Sequence, residues 1–158
     1  MNGINWNEIQ ENYKKSAEIL MEGTEETRTG LRDGLDKSTE HLKQKRRTEI
    51  VRLRMATEHL IKSLFIKKGY SIFKIKNKFL TISDIGSPSE IDLDRTHDFS
   101  YLIAKLKLII QDQETLKKLK QGLEDIRKRG NESVHGSDFN DQEIEEAKET
   151  LRILKEQF

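Results

Sequence analysis

Apolar residues recur along this chain at steps of three and four, the spacing of one helix face. Ile9, Tyr13, Ala17 and Leu20 mark a first amphipathic helix over residues 5–23. Residues 24–47 are polar, with Leu31, Leu35 and Leu42 as spaced apolar points. They read as a second helix, kinked where Gly30 and Gly34 weaken it. The strongest pattern covers residues 48–68, where Ile50, Leu53, Ala56, Leu60, Leu64 and Phe65 line one face. Gly69 then stands where a C-terminal cap belongs, after Lys67 and Lys68, whose charge suits the negative end of the helix dipole.

The period changes over residues 71–82. Phe73 and Ile75 alternate with Lys74 and Lys76, and Asn77 with Lys78 offers a turn, so a short hairpin is expected. Residues 83–95, with Pro88, read as a loop. Three more helices follow, over residues 98–111, over 114–129, and from a capping-box pair at Asn140 and Glu143. The predicted fold is all-α, an up-and-down helical bundle with a short loop or β-hairpin insert. Residues 48–158 are expected to form its core, with the polar helices of 1–47 packing on it or extending from it, in one structural domain.

Composition sharpens this picture in a few places. Hydrophobic residues make up 34% and charged residues 36%, the balance of helices that bury one stripe and solvate the rest. Lys and Arg number 29 against 28 Asp and Glu, so the chain lacks the strong positive charge of a constitutive nucleic-acid binder. An RNA site would have to rest on a local basic patch or on a surface shared between subunits. The absence of cysteine excludes disulfides and thiolate metal sites. The histidines lack metal-ligand spacing, and no phosphate-cradling glycine loop or nucleophile elbow occurs. No cofactor and no metal are expected. Without a signal-like N-terminus or a membrane-length apolar run, a cytoplasmic location with no membrane partner is expected.

Candidate chemistry concentrates in residues 126–136, Ile-Arg-Lys-Arg-Gly-Asn-Glu-Ser-Val-His-Gly. One reading is ordinary: cations end a helix and Gly130-Asn131 stops it. The other is catalytic. Metal-independent RNA cleavage needs a group that moves the ribose proton, one that stabilises the phosphorane and one that protonates the leaving oxygen. Histidine titrates near neutrality and can be base or acid. Arginine matches phosphate oxygens with a planar fork, and asparagine can orient either group. Arg129, Asn131 and His135 supply all three within seven residues, with Arg127 as a second arginine.

Two further features bear on this site. Arg54, Glu58 and Lys62 are spaced as a surface ion-pair ladder. Alternatively Glu58 points inward and holds Arg127 or Arg129. The basic run 43–47, ending at Arg47 and continued by Arg52 and Arg54, is either a solvated face or a secondary RNA contact. His97, between Thr96 and Asp98, reads as part of a helix cap.

The pattern Arg127-x-x-Gly-Asn-x-x-x-His-Gly resembles the signature of the HEPN family, an arginine followed a few residues later by histidine. Ala56-x-Glu58-x-x-x-Lys62 resembles the family's earlier helix, and His97-Asp98 the start of its middle helix. The match spans roughly residues 49–154 and leaves the N-terminal helices outside it. The resemblance implies a metal-independent endoribonuclease, a toxin or antiphage abortive-infection effector. It implies a homodimer in which two copies of the motif face each other, Lys128 adding positive charge beside the arginines. RNA is the implied substrate, and an antitoxin or other regulatory protein an implied partner. Gly130 separates Arg129 from Asn131, so both Arg127 and Arg129 stand as the functional arginine. Ser137 stands where some toxin members carry tyrosine. Two alternatives share the bundle: a non-catalytic HEPN-like module binding nucleotide, RNA or protein, and a structural helical interaction protein.

Overall fold

Asn5 starts the first helix, its side-chain oxygen accepting from the Glu8 N–H at 3.1 Å. In the computed structural model, residues 3–32, 39–75, 78–86 and 91–158 are described, the side chains of 23–32 and 39 excepted. Helix α1 spans Trp6–Arg32, α2 Thr39–Lys67, α3 Phe99–Ala104, α4 Gln113–Val134 and α5 Asp141–Lys155. The fold is an all-α helical bundle. Helix α2 is its centre, packing against α1 and also against α3, α4 and α5.

The described parts of the expected second helix over 24–47 belong to its neighbours. Its first part continues α1 through Gly23 and Gly30 to Arg32, and its last part opens α2. The boundary drawn between residues 47 and 48 therefore lies inside one continuous helix. Of the two glycines at which the kink was expected, Gly30 lies within α1, and Gly34, like the apolar point Leu35, lies outside the described residues.

Helix α2 also buries more than one face. From Leu60 to Ile66 every side chain is buried, including Lys62 and Ser63. Each fully buried Leu, Ile or Phe there contributes about 1.5–3 kcal/mol. The polar members are matched. Ser63 donates to the Gln10 carbonyl of α1 at 3.0 Å, and Thr57 to the Leu53 carbonyl at 2.6 Å. Lys62 lies 3.8 Å from Glu58 and 5.6 Å from the centre of the Tyr13 ring. Burial pulls its ammonium pKa down, and Glu58 opposes that.

Gly69 ends α2 as expected. Its φ of 90°, with Gly69 N–H on the Ile66 carbonyl and Tyr70 N–H on that of Phe65, forms a Schellman cap. The insert that follows forms isolated antiparallel bridges, Tyr70 with Thr81, Phe73 with Thr96 and Ile75 with Lys78, and no ladder among the described residues. The turn residue Asn77 and the loop residue Pro88 lie outside them. Phe79 anchors the insert, its ring 5.3 Å from Tyr70, 5.4 Å from Phe65 and 5.6 Å from His97.

His97 is therefore no cap. It is 4% exposed and stacks on Tyr101 at 4.5 Å, its Nε2 without a hydrogen bond. Its N–H donates to the Ile72 carbonyl at 2.8 Å. Asp98 occupies the N-cap of α3 without a side-chain capping bond, its carboxylate 3.6 Å from Lys74 Nζ. That helix ends at Ala104, and a 3-10 turn, Leu106–Leu108, buries Leu106 and leads Ile109 and Ile110 into the core, with Leu108 exposed. The last helix opens on the expected capping box, Asn140 and Glu143 each bonding the other's backbone N–H.

Two predictions follow from this packing. Burial lowers the pKa of His97, with Lys74 adding to the effect, and lowers that of His59, so both rings favour the neutral form in the fold. The unfolded chain then binds more protons below the ordinary histidine value of about 6.5, and stability falls as pH drops through that point. Urea unfolding across this range should show the loss, and His97→Phe should flatten it. An unchanged slope would place the acid sensitivity elsewhere.

The second concerns Gly130 in α4. A Cβ there would stand 2.2 Å from Arg54 Cδ and 2.8 Å from Arg54 Cβ. Gly130→Ala should therefore destabilise despite the roughly 1 kcal/mol that alanine gains in a helix, because overpacking costs about 1–3 kcal/mol. A higher melting temperature for the variant would refute a tight crossing.

Candidate functional site

The Gly130-Asn131 pair does not stop α4. The helix runs through it to Val134, because Gly130 serves a neighbour instead: the stem of Arg54 from α2 crosses where a side chain would stand. The true stop is Gly136, at φ 85°, whose N–H bonds the Ser133 carbonyl while that of Ser137 bonds the Glu132 carbonyl. This is again a Schellman cap, and His135 is its C-cap residue.

An unbroken helix sorts the candidate residues by direction. Arg127, Asn131 and His135 follow at four-residue steps, each about 40° round from the last, and form one ridge. Asn131 and His135 are exposed, and Arg127 is half-buried. Neither Asn131 nor His135 makes a side-chain hydrogen bond among the described residues. Lys128 is exposed beside the ridge, and Val134 flanks it at 76% exposure.

Arg129 lies about 160° round the helix from Arg127 and leaves the ridge. It turns to α5, with Nε 3.4 Å from Glu143 Oε2, Nη2 3.2 Å from Glu146 Oε2 and Nη1 donating to the Glu143 carbonyl. Arg127 is bound on its own side of α4, donating from Nη2 to Glu124 Oε2 at 2.9 Å. The structure thus brings Arg127, Asn131 and His135 together and sets Arg129 apart as an inter-helix tie. Within one chain, the open depression on α4 lies farther toward its start, bordered by Gln113, Lys117, Lys120 and Glu124.

The supporting candidates fall elsewhere. Glu58 pairs with Arg54 at 3.5 Å and Lys62 at 3.8 Å, the ladder arrangement, and with neither Arg127 nor Arg129. Arg54 is committed to the α2–α4 crossing and lies over the Phe99 ring at 5.6 Å. Arg47 faces the α4–α5 connection, donating to Asp138 at 2.6 Å and to the Ser137 carbonyl at 3.2 Å. Arg46 pairs with Asp141 at 3.1 Å and Lys43 with Asp138 at 3.6 Å. The Arg47 hydrogen bond holds the Asp138 carboxyl below its ordinary pKa, with Lys43 assisting. The basic run is therefore tied to an acidic loop rather than laid open as a track.

One pair escapes a reading of local spacing. His59 Nδ1 stands 2.7 Å from Ser16 Oγ, at the edge of an open pocket bordered by Ile9, Asn12, Tyr13 and Phe73. The two residues are 43 positions apart, so no motif joins them. Ser16 lies within α1, where the neighbouring N–H groups are spent on the helix, so no backbone oxyanion hole is formed beside it. Among the described residues, no group of three or more acidic or histidine side chains is placed to hold a metal ion.

Compared with protein-family models, curated proteins and solved structures, the chain gives no significant match.

The two arginines should separate in a stability measurement. Arg129→Ala removes contacts with both Glu143 and Glu146 and should cost up to about 1 kcal/mol in urea unfolding, the upper range for a part-exposed pair. Arg127→Ala removes one pair within a single helix and should stay within about 0.5 kcal/mol of the parent. Equal losses would contradict the assignment of Arg129 to the α4–α5 contact.

Proposed function

We propose that this chain is a HEPN-type endoribonuclease that cuts RNA without metal, as a homodimer with a composite site. The observation that carries the reading is the ridge of Arg127, Asn131 and His135 on one outward side of α4. In this scheme His135 takes the 2′-hydroxyl proton or returns one to the leaving oxygen. Arg127 stabilises the phosphorane charge, and Asn131 orients the phosphate or the imidazole. The Arg127–Glu124 pair is 26% and 33% exposed on its two sides. Such a pair is worth roughly 0–1 kcal/mol, so an RNA phosphate can displace it.

A symmetric dimer across α4 would set two ridges face to face, each copy presenting the same surface. Val134, exposed beside the ridge, offers an apolar contact for that interface. Two copies of Arg127 and Lys128 would then concentrate positive charge that a chain of net charge +1 does not otherwise hold. A toxin or antiphage effector is the biological setting this reading suggests.

The test is incubation of the protein with labelled single-stranded and structured RNA in EDTA, beside His135→Ala and Arg127→Ala. The parent should cleave and leave cyclic-phosphate ends, and His135→Ala should be inactive with its helical content intact. Arg127→Ala should lose roughly a hundredfold or more in rate, and Arg129→Ala far less. RNA binding without cleavage, weakened by Arg127→Ala, would favour the second reading, a non-catalytic RNA-binding module. The internal pairing of Arg127 with Glu124 is the observation on that side.

A further inference from the structure

His135 ends its helix and its ring is held by no hydrogen bond among the described residues, so its place must be set by the chain on either side. Both sides lead to Arg47. Before His135, the buried Ser133 donates its hydroxyl to the Arg47 carbonyl at 3.0 Å. After it, Arg47 Nε donates to the Ser137 carbonyl at 3.2 Å and Nη2 to Asp138 at 2.6 Å. Lys43, one helical turn before Arg47, adds a second cation on Asp138 at 3.6 Å. Arg47 is itself anchored, because Glu49 and Ile50, just beyond it on α2, are buried at 2% and 0% exposure.

We propose that Arg47 is a positioning residue, a clamp from α2 that fixes the His135 imidazole in line with Arg127 and Asn131. The inference rests on the ridge being the reactive site. It assigns to Arg47 a task different from contact with RNA, since its guanidinium is already spent on the loop. Proton transfer demands the ring within hydrogen-bond reach of the reacting oxygen, and a misplacement of about 1 Å costs on the order of a hundredfold in rate. A clamp that grips Ser133 on one side and Ser137 and Asp138 on the other restrains the three residues between them without touching the imidazole, leaving both ring nitrogens available for chemistry.

The experiment compares the parent, Arg47→Met and Arg47→Lys by hydrogen exchange and by the His135 ring signals in NMR, beside RNA-cleavage kinetics. Arg47→Met keeps the apolar stem and removes the donors. It should speed exchange at the Gly136 and Ser137 amides by roughly tenfold or more and shift the His135 signals. Core amides such as that of Ala17 should not change, and Arg47→Lys should restore part of the protection. In cleavage, kcat should fall by roughly tenfold to a hundredfold with KM within about twofold. Unaltered Gly136 and Ser137 exchange with unaltered His135 signals would overturn the proposal. So would a raised KM at constant kcat with a weaker salt dependence, which would make Arg47 an RNA contact. Should Arg47→Met unfold, Asp138→Ala removes the acceptor of Nη2 from the loop side, leaves only the bond to the Ser137 carbonyl, and is read in the same way with a smaller effect. If the parent cleaves no RNA, the ribonuclease reading falls, and exchange and ring signals alone decide whether Arg47 holds His135.

Discussion

Every side chain of α2 from Leu60 to Ile66 is buried, so that helix needs neighbours on all sides, and the rest of the bundle is arranged to supply them. Helix α1 covers it from one direction and α3, α4 and α5 from the others. Most polar groups that α2 carries inside are answered locally, Arg54 Nε being left without a hydrogen bond. Ser63 reaches a carbonyl of α1, Lys62 and Arg54 share Glu58, and buried Glu49 pairs with Lys148 of α5 at 3.3 Å. A buried charge left alone would cost several kcal/mol, so these pairings are conditions of the packing rather than additions to it.

The same demand shapes α4. To lie close against α2 the helix gives up a side chain at Gly130, where the Arg54 stem passes, and another glycine, Gly122, faces Thr150 of α5 in the same way. A glycine used for close approach weakens a helix by about 1 kcal/mol but does not end it. Because α4 stays continuous, Arg127, Asn131 and His135 fall into line and Arg129 turns away. The geometry of the candidate site is thus a consequence of how two helices cross at Gly130 and Arg54, while Arg47, about two turns earlier on α2, holds the loop after His135.

Charge is handled with similar economy. Most cations around the α4–α5 connection already have acids: Arg46 has Asp141, Arg47 and Lys43 have Asp138, and Arg129 has Glu143 and Glu146. These pairs fasten helices and loops to one another. On the outward ridge of α4 the cations are tied less firmly: Lys128 is exposed and Arg127 is held by a weak intrahelical pair.

Local chemistry was readable from the sequence wherever it depends on near neighbours. The Gly69 cap, the Asn140–Glu143 capping box and the apolar stripes of α4 and α5 are such cases, since backbone geometry and helical period act within a few residues. The residue types needed to move protons and bind phosphate were visible in the same way. The sequence could not tell a glycine that stops a helix from one that admits a neighbour, because the neighbour, Arg54, comes from another helix. Nor could it tell that Arg129 rather than Arg127 ties α4 to α5, recognise His97 as buried, pair Ser16 with His59, or give Arg47 its hold on the loop. Each of those depends on contacts between residues far apart along the chain, and only the tertiary packing brings such residues together.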